Sequence, residues 1–252
     1  MIIDADTHLS PGSAKFSLQT HIDNARNAGI DTCLCCLSPH HYTDATGLEA
    51  GNRYVYEAQK SNPDEIIGFG WADPTLGLAK AKDLATQCIE EFCFPGVKMN
   101  GAQNDYYIDD PEIGIPLAEH IVRLGGMLAF HIGPDAYEKT HPLRAEKIAR
   151  RFPETTVLMV HMGMTDPGMT EATLRSAKEC SGMHLVGSQT SEKQLLRAVQ
   201  ELGADRVLFG TDFPFRNMKV IRSMYEHGLG VEINKGELDL IMHGNASRLF
   251  EL

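Results

Sequence analysis

"IIDADTHLS", residues 2–10, decides how the chain is read. Two branched apolar residues lead into Asp4, Asp6 and His8, each separated from the next by one small or short residue. Side chains alternate across a β-strand, so these three ionisable groups share one face. Burying them requires hydrogen-bonding partners, opposite charge or a metal. The stretch therefore predicts a buried strand that delivers polar chemistry at its C-terminal end.

Seven further apolar runs follow at intervals of roughly 30 residues: "DTCLCCLS" (31–38), "IIGFGWAD" (66–73), "GVKMN" (96–100), "MLAFHIG" (127–133), "TVLMVHMG" (156–163), "MHLVGSQ" (183–189) and "RVLFGTDFPF" (206–215). Nearly continuous apolar runs are the pattern of parallel strands covered on both faces. Amphipathic segments lie between them. "SLQTHIDNARNAG" closes on Gly29, "PEIGIPLAEHIVRLGG" opens on Pro111, and "PLRAEKIARRFPE" stops at Pro153. "SEKQLLRAVQELGAD" carries a Ser191/Gln194 capping box, and "KGELDLIMHGNASRLF" supplies the last helix. Eight alternating β and α segments in 252 residues predict a single-domain α/β (β/α)8 TIM barrel spanning 1–252, with no linker or low-complexity segment dividing it.

Composition narrows the function. A formal charge of −11, from 23 Lys+Arg against 34 Asp+Glu, lacks the basic footprint of a nucleic-acid binder. No run of 18 apolar residues reads as a membrane span. The N-terminus has neither the basic nor the apolar region of a secretory signal, so a cytoplasmic location is expected. The six cysteines form no paired C-x-x-C units and read as small buried hydrophobes.

In a TIM barrel the strand ends converge on one mouth. There the sequence places Asp6 and His8 (strand 1), His131 (strand 5), His161 (strand 6) and Asp212 (strand 8), with Lys98 and Asn100 at the end of strand 4. A divalent cation bound by carboxylate and imidazole would offset the cost of gathering these groups; a hydrogen-bonded polar cluster is the alternative. Asp4, one step deeper, is expected to make a buried structural hydrogen bond.

The motifs resemble those of the amidohydrolase superfamily, in particular the amidohydrolase-related branch that includes metal-dependent decarboxylases similar to aminocarboxymuconate-semialdehyde decarboxylase. The resemblance rests on "IDADTH", "PGVKMNGAQNDYYIDDPE" (95–112), "HIG", "HMG", "GTDFPF" and "GNASRL" in this order. It implies that His8, His131 and Asp212 bind one divalent ion, Zn2+ first and Mn2+ second. Asp6 stands as a carboxylate where the family usually has His, and His161 acts as acid/base or orients substrate or water. Lys98 either faces an anionic substrate or pairs with Asp6; carboxylation of Lys98 is a further alternative.

The activity expected from this resemblance is hydrolysis of an amide, ester or lactone bond in a small anionic substrate, with Asp212 moving the proton. Non-oxidative decarboxylation of a small unsaturated or aromatic acid is the alternative, followed by a metal-independent lactonase or a non-catalytic binding barrel. Substrate contacts are expected from Lys98, Asn100, His40, His41, Trp71 and Arg216, the last through its planar guanidinium. The partners expected are a small-molecule substrate and, from the resemblance, a second copy of the chain in a homodimer.

Overall fold

The computed structural model describes residues 1–38 and 42–252, so the substrate-contact expectations for His40 and His41 lie outside the described residues. Eight parallel strands follow one another in chain order: β1 (Ile3–Leu9), β2 (Thr32–Leu37), β3 (Ile66–Trp71), β4 (Gly96–Met99), β5 (Met127–His131), β6 (Val157–Val160), β7 (Met183–Val186) and β8 (Val207–Leu208). The ring closes because the chain around β8 returns to β1. Ala5 N donates to Phe209 O at 2.9 Å, Asp212 N to Asp6 O at 2.8 Å, and His8 N to Phe213 O at 2.8 Å. The chain thus folds as the expected TIM barrel.

Helices surround this ring: α1 (Leu18–Ala28), α2 (Ala45–Ser61), α3 (Leu78–Thr86), α4 (Gly114–Arg123), α5 (Pro142–Arg151), α6 (Pro167–Glu179), α7 (Glu192–Leu202), α8 (Met218–Ser223), α9 (Lys235–Asp239) and α10 (Asn245–Phe250). Local chemistry sets their ends. Gly29 takes the left-handed conformation (φ 63°) that terminates α1, and Ser191 and Gln194 form the reciprocal capping box of α7. α4 begins at Gly114 rather than at Pro111, because the Asp110 carboxylate accepts from the Glu112 and Ile113 amides and builds a separate turn. The last predicted helix is divided: a wider turn over Leu240–Gly244 separates α9 from α10.

Ala5, Leu34, Cys36, Phe69, Ala129, Leu158, Val160, Val186 and Leu208 belong to one packed cluster in the lower barrel. Such a filled interior makes the barrel a solid support with chemistry at its rim. Five of the six cysteines are buried, as expected; Cys93 is exposed. Asp4 is fully buried and accepts from the Thr211 amide (2.9 Å), the Thr211 hydroxyl (2.5 Å) and the Asp6 amide (3.2 Å), which is the structural role predicted for it.

Candidate metal centre and substrate cavity

β6 and β8 end earlier than their apolar runs suggest. His161, Met162 and Asp212 have positive φ values of 70°, 41° and 61°, and Gln189, just beyond β7, has 61°. Left-handed backbone in residues other than glycine costs on the order of 1–3 kcal/mol each and survives only where the surroundings over-determine it. Here it turns the chain out of the sheet and aims the His161 and Asp212 side chains across the barrel mouth, where both line one cavity.

Asp6 lies at the centre of the cluster. Its Oδ1 accepts from Lys98 Nζ at 3.0 Å, and its Oδ2 accepts from the Ser188 hydroxyl at 2.6 Å. His161 Nδ1 lies 3.5 Å from Asp6 Oδ2, and His8 Nε2 lies 3.9 Å from Asp6 Oδ1. Burial alone would raise the Asp6 carboxyl, but the charges of Lys98, His161 and His8 and the Ser188 hydrogen bond hold it well below the usual carboxylate range. The same ion pair raises Lys98 above its ordinary value against the opposing effect of burial.

Asp212 is satisfied on both oxygens, with His8 Nε2 3.2 Å from Oδ1 and Gln189 Nε2 donating to Oδ2 at 2.6 Å. Burial opposes its charge, but His161 and His8 outweigh this and lower its pKa. On the other side of its ring, His8 Nδ1 lies 3.2 Å from the Leu37 carbonyl and 3.3 Å from Cys36 Sγ. A carbonyl only accepts, so Nδ1 carries hydrogen and Nε2 is the atom that meets the carboxylates. Burial pushes His161 down to about 4, against the raising effect of the Asp212 and Asp6 charges.

Among the described residues, one group has the geometry to hold a metal: ligand atoms of Asp6, His161 and Asp212 all lie within 4.8 Å of one another. Two carboxylates and an imidazole suit a divalent ion, and His8 Nε2 faces the same two carboxylates. Of the expected ligands Asp6, His8, His131 and Asp212, this group contains Asp6 and Asp212 and adds His161. His131 Nε2 lies 2.9 Å from Asp135 Oδ1 and packs its ring edge-on against His161, with centroids 4.8 Å apart. Asp135 sits four residues along the loop from His131. His161, expected to act beside the metal, stands within this group, and His131 lines the same cavity.

The cluster opens into a cavity of about 150 Å³ lined by His8, Trp71, Lys98, Asn100, Gln103, His131, His161, Met164, Gln189, Asp212 and Phe215. Lys98, Asn100 and Trp71 therefore stand where substrate contacts were expected. Trp71 is held from behind, its Nε1 donating to Tyr42 Oη (3.0 Å) and Asn104 Oδ1 (3.2 Å), while Lys98 Nζ lies 5.8 Å from the indole centroid. Asn100 Oδ1 accepts from the Ala102 and Gln103 amides and shapes the loop. Arg216 is exposed, lies outside the cavity lining, and donates through Nε to Gln189 Oε1 at 2.7 Å. It reaches Asp212 only through the Gln189 carboxamide.

Ser188 and Gln189 were missed by sequence reasoning. Both fall in "MHLVGSQ", whose polar end after an apolar run is the same signal that marked strands 1, 5, 6 and 8. It passed unread because neither residue is ionisable.

This constellation defines a metal-type site at the mouth of a TIM barrel, and the family model described as "Amidohydrolase" matches residues 37–252. The chain belongs to that amidohydrolase family, as its motifs suggested. It is 40% identical over 58 residues to gamma-resorcylate decarboxylase from Polaromonas sp. (strain JS666), a match covering 23% of this chain and 17% of that relative's length. The 2,6-dihydroxybenzoate decarboxylase structure from Rhizobium superposes with a TM-score of 0.80 at 19% identity, covering 99% of this chain and 98% of the other. A dihydroxybenzoic acid decarboxylase from Polaromonas sp. JS666, with bound manganese and the inhibitor 2-nitroresorcinol, gives 0.79 at 20% identity, covering 100% and 97%. These relatives overturn the expectation of hydrolysis as the main activity: they are decarboxylases of aromatic acids, which favours the alternative. No helix among the described residues is long and apolar enough to cross a membrane.

Proposed function

We propose that this protein is a divalent-metal-dependent, non-oxidative decarboxylase of a small hydroxylated aromatic acid. The observation that carries the reading is the cavity itself. A void of about 150 Å³ is the size that accepts a benzene ring. Its walls include Trp71, Met164 and Phe215, and the Asp6–His8–His161–Asp212 cluster and Lys98 open into it. A single ring bearing a carboxylate and a small neighbouring substituent matches that combination of apolar walls and concentrated charge. The decarboxylase relatives support the same substrate class.

Asp6, His161 and Asp212, with His8 beside them, would hold the ion. Two carboxylates in the set favour the harder Mn2+ over the Zn2+ placed first by the motifs. When bound, a divalent ion supplies positive charge that draws electrons from the substrate carboxylate and an adjacent oxygen.

The side chains account for the rest. Trp71 and Phe215 would contact the ring, and Lys98 would orient the carboxylate by charge. With the ion held by Asp6, His161 and Asp212, His8 would keep its 3.2 Å contact with Asp212 Oδ1 through a proton on Nε2, since its Nδ1 is committed to the Leu37 carbonyl. The His8–Asp212 pair can therefore store a proton beside the ring. Transfer of that proton to the ring carbon bearing the carboxylate forms a C–H bond. The C–C bond then breaks, its electron pair restores the aromatic ring, and CO2 leaves. Solvent returns the proton to the pair, so the balance is one carboxylate and one proton in, one arene and one CO2 out.

The test is product analysis of Mn2+-loaded protein with a panel of ortho-hydroxylated benzoates, alongside lactones. Stoichiometric CO2 and the matching phenol from at least one benzoate are expected. Turnover of a lactone with no CO2 from any acid would refute the reading.

A further inference from the structure

We propose that Tyr42, with Asp73 and Asn104, forms a clasp that holds the Trp71 indole by its N–H and makes it a fixed wall of the substrate cavity, one that offers carbon and no hydrogen-bond donor. Tyr42 is thereby a positioning residue for substrate recognition. The inference rests on the proposed function in taking this cavity as the place where an aromatic ring binds. It starts from a buried indole that lines the cavity while its nitrogen is engaged elsewhere. Tyr42 and Asn104, which engage that nitrogen, lie outside the lining.

Each atom's role follows by elimination. An indole nitrogen only donates, so its N–H is shared between two acceptors, Tyr42 Oη at 3.0 Å and Asn104 Oδ1 at 3.2 Å. With its oxygen turned to the indole, the Asn104 carboxamide directs Nδ2 to Tyr42 Oη (2.6 Å) and to Asp73 Oδ2 (2.7 Å). Tyr42 Oη thus receives two hydrogens, and its own goes to Asp73 Oδ2 at 3.2 Å. The other oxygen of the Asp73 carboxylate accepts from the Thr75 amide (3.0 Å) and hydroxyl (2.6 Å). Once the indole N–H sets the direction, every other group in the network has one way to point.

The main chain of Trp71 is held separately. Asn52 on α2 donates to the Trp71 carbonyl at 2.9 Å and accepts from the Trp71 amide at 3.0 Å. Deleting the Tyr42 hydroxyl therefore loosens the ring and leaves its strand in place. The three clasp residues come from the segments after β2, β3 and β4, and Gln103, next to Asn104 in the chain, lines the cavity. Recognition is affected in two ways. The only polar side-chain atom of Trp71 is already used, so a polar substituent facing this wall would give up water and gain no partner, and such rings are disfavoured. A wall that is already fixed also spares the cost of ordering a side chain when the ligand binds.

The test exploits the fact that Trp71 is the chain's only tryptophan, so 15N-labelled indole gives a single 1H–15N NMR peak. In the metal-free wild type that N–H should exchange slowly with water. Tyr42→Phe and Asn104→Leu should each speed the exchange about 2–10-fold, the worth of one net hydrogen bond. Calorimetric titration of the Mn2+-loaded protein uses 2-nitroresorcinol, an ortho-hydroxylated ring with no carboxylate to lose. Its Kd should rise about 2–10-fold in Tyr42→Phe, because the loosened indole must be ordered again on binding. Rapid exchange in the wild type would overturn the proposal, as would a folded Tyr42→Phe protein with unchanged exchange or unchanged affinity. Asn104→Leu repeats both readings at the second acceptor and decides should Tyr42→Phe fail to fold. A wild type that does not bind the probe would count against the substrate class proposed above, while the exchange rates would still decide whether the clasp exists.

Discussion

Replacing Lys98 by Met keeps the length of the side chain and removes the ammonium 3.0 Å from Asp6 Oδ1, both partners being only 3% exposed. Breaking a buried ion pair by deleting one member typically costs about 3–5 kcal/mol, because the other charge is stranded. Asp6 would keep the Ser188 hydroxyl at 2.6 Å and the more distant rings of His161 and His8. The lower end, about 3 kcal/mol, is therefore expected. For a chain of this size each kcal/mol moves the midpoint by roughly 2–4 °C, so thermal unfolding in chelator should fall by roughly 6–12 °C.

The pH dependence gives a second reading of the same pair. The Asp6 carboxyl is held below its ordinary range mainly by Lys98, so the stability from this pair is present above the unfolded carboxylate pKa and is lost as pH falls. Without Lys98, Asp6 can take up a proton more readily. The deficit of Lys98→Met should then be largest at neutral pH and shrink toward pH 4–5. Mn2+ should restore much of the lost stability, since it supplies the missing positive charge. Differential scanning calorimetry at two pH values, with and without Mn2+, makes the measurement. A midpoint within about 2 °C of wild type in chelator would refute the claim that Lys98 compensates a buried Asp6 charge.

Other consequences are open to direct measurement. Asp212→Asn should lower decarboxylation by about 10²–10⁴-fold while circular dichroism stays unchanged, because the proton-storing pair is lost and the side-chain shape is kept. Burial raises the Asp4 carboxyl to about 7, so its contribution to stability is present at low pH and lost as pH rises from its ordinary value of 3.8 through 7; urea unfolding should show this decline, and Asp4→Asn should remove that part of the slope. Arg216→Ala should leave the fold intact and lower kcat by a small factor, about 2–10-fold, since it frees the Gln189 carboxamide that donates to Asp212; steady-state kinetics with an unchanged kcat would argue against that chain of contacts.

The barrel was legible because its strands are nearly pure apolar runs and the helices between them carry explicit capping signals such as Gly29 and Ser191/Gln194. Asp4, Asp6, His8, Lys98, His161 and Asp212 were also legible, each as an ionisable residue at or near the end of such a run. His131 and His161 sit in the same His-x-Gly context. Only the folded loop brings Asp135 to 2.9 Å from the His131 ring. Ser188 and Gln189 escaped because a search for charge overlooks the neutral groups that orient it. The chemistry itself was ambiguous for a physical reason. Hydrolysis and decarboxylation draw on the same donors, and what separates them is the shape of the space in front, here set by Trp71 at the end of β3 and by Met164 and Phe215 from two loops.

The most direct measurement is anomalous diffraction from crystals grown with saturating Mn2+. A single manganese peak should appear within coordination distance of carboxylate oxygens of Asp6 and Asp212 and of the His161 ring, with Lys98 Nζ still beside Asp6 or displaced toward the cavity. A map with no anomalous peak at the barrel mouth, or with the ion bound elsewhere on the chain, would contradict it.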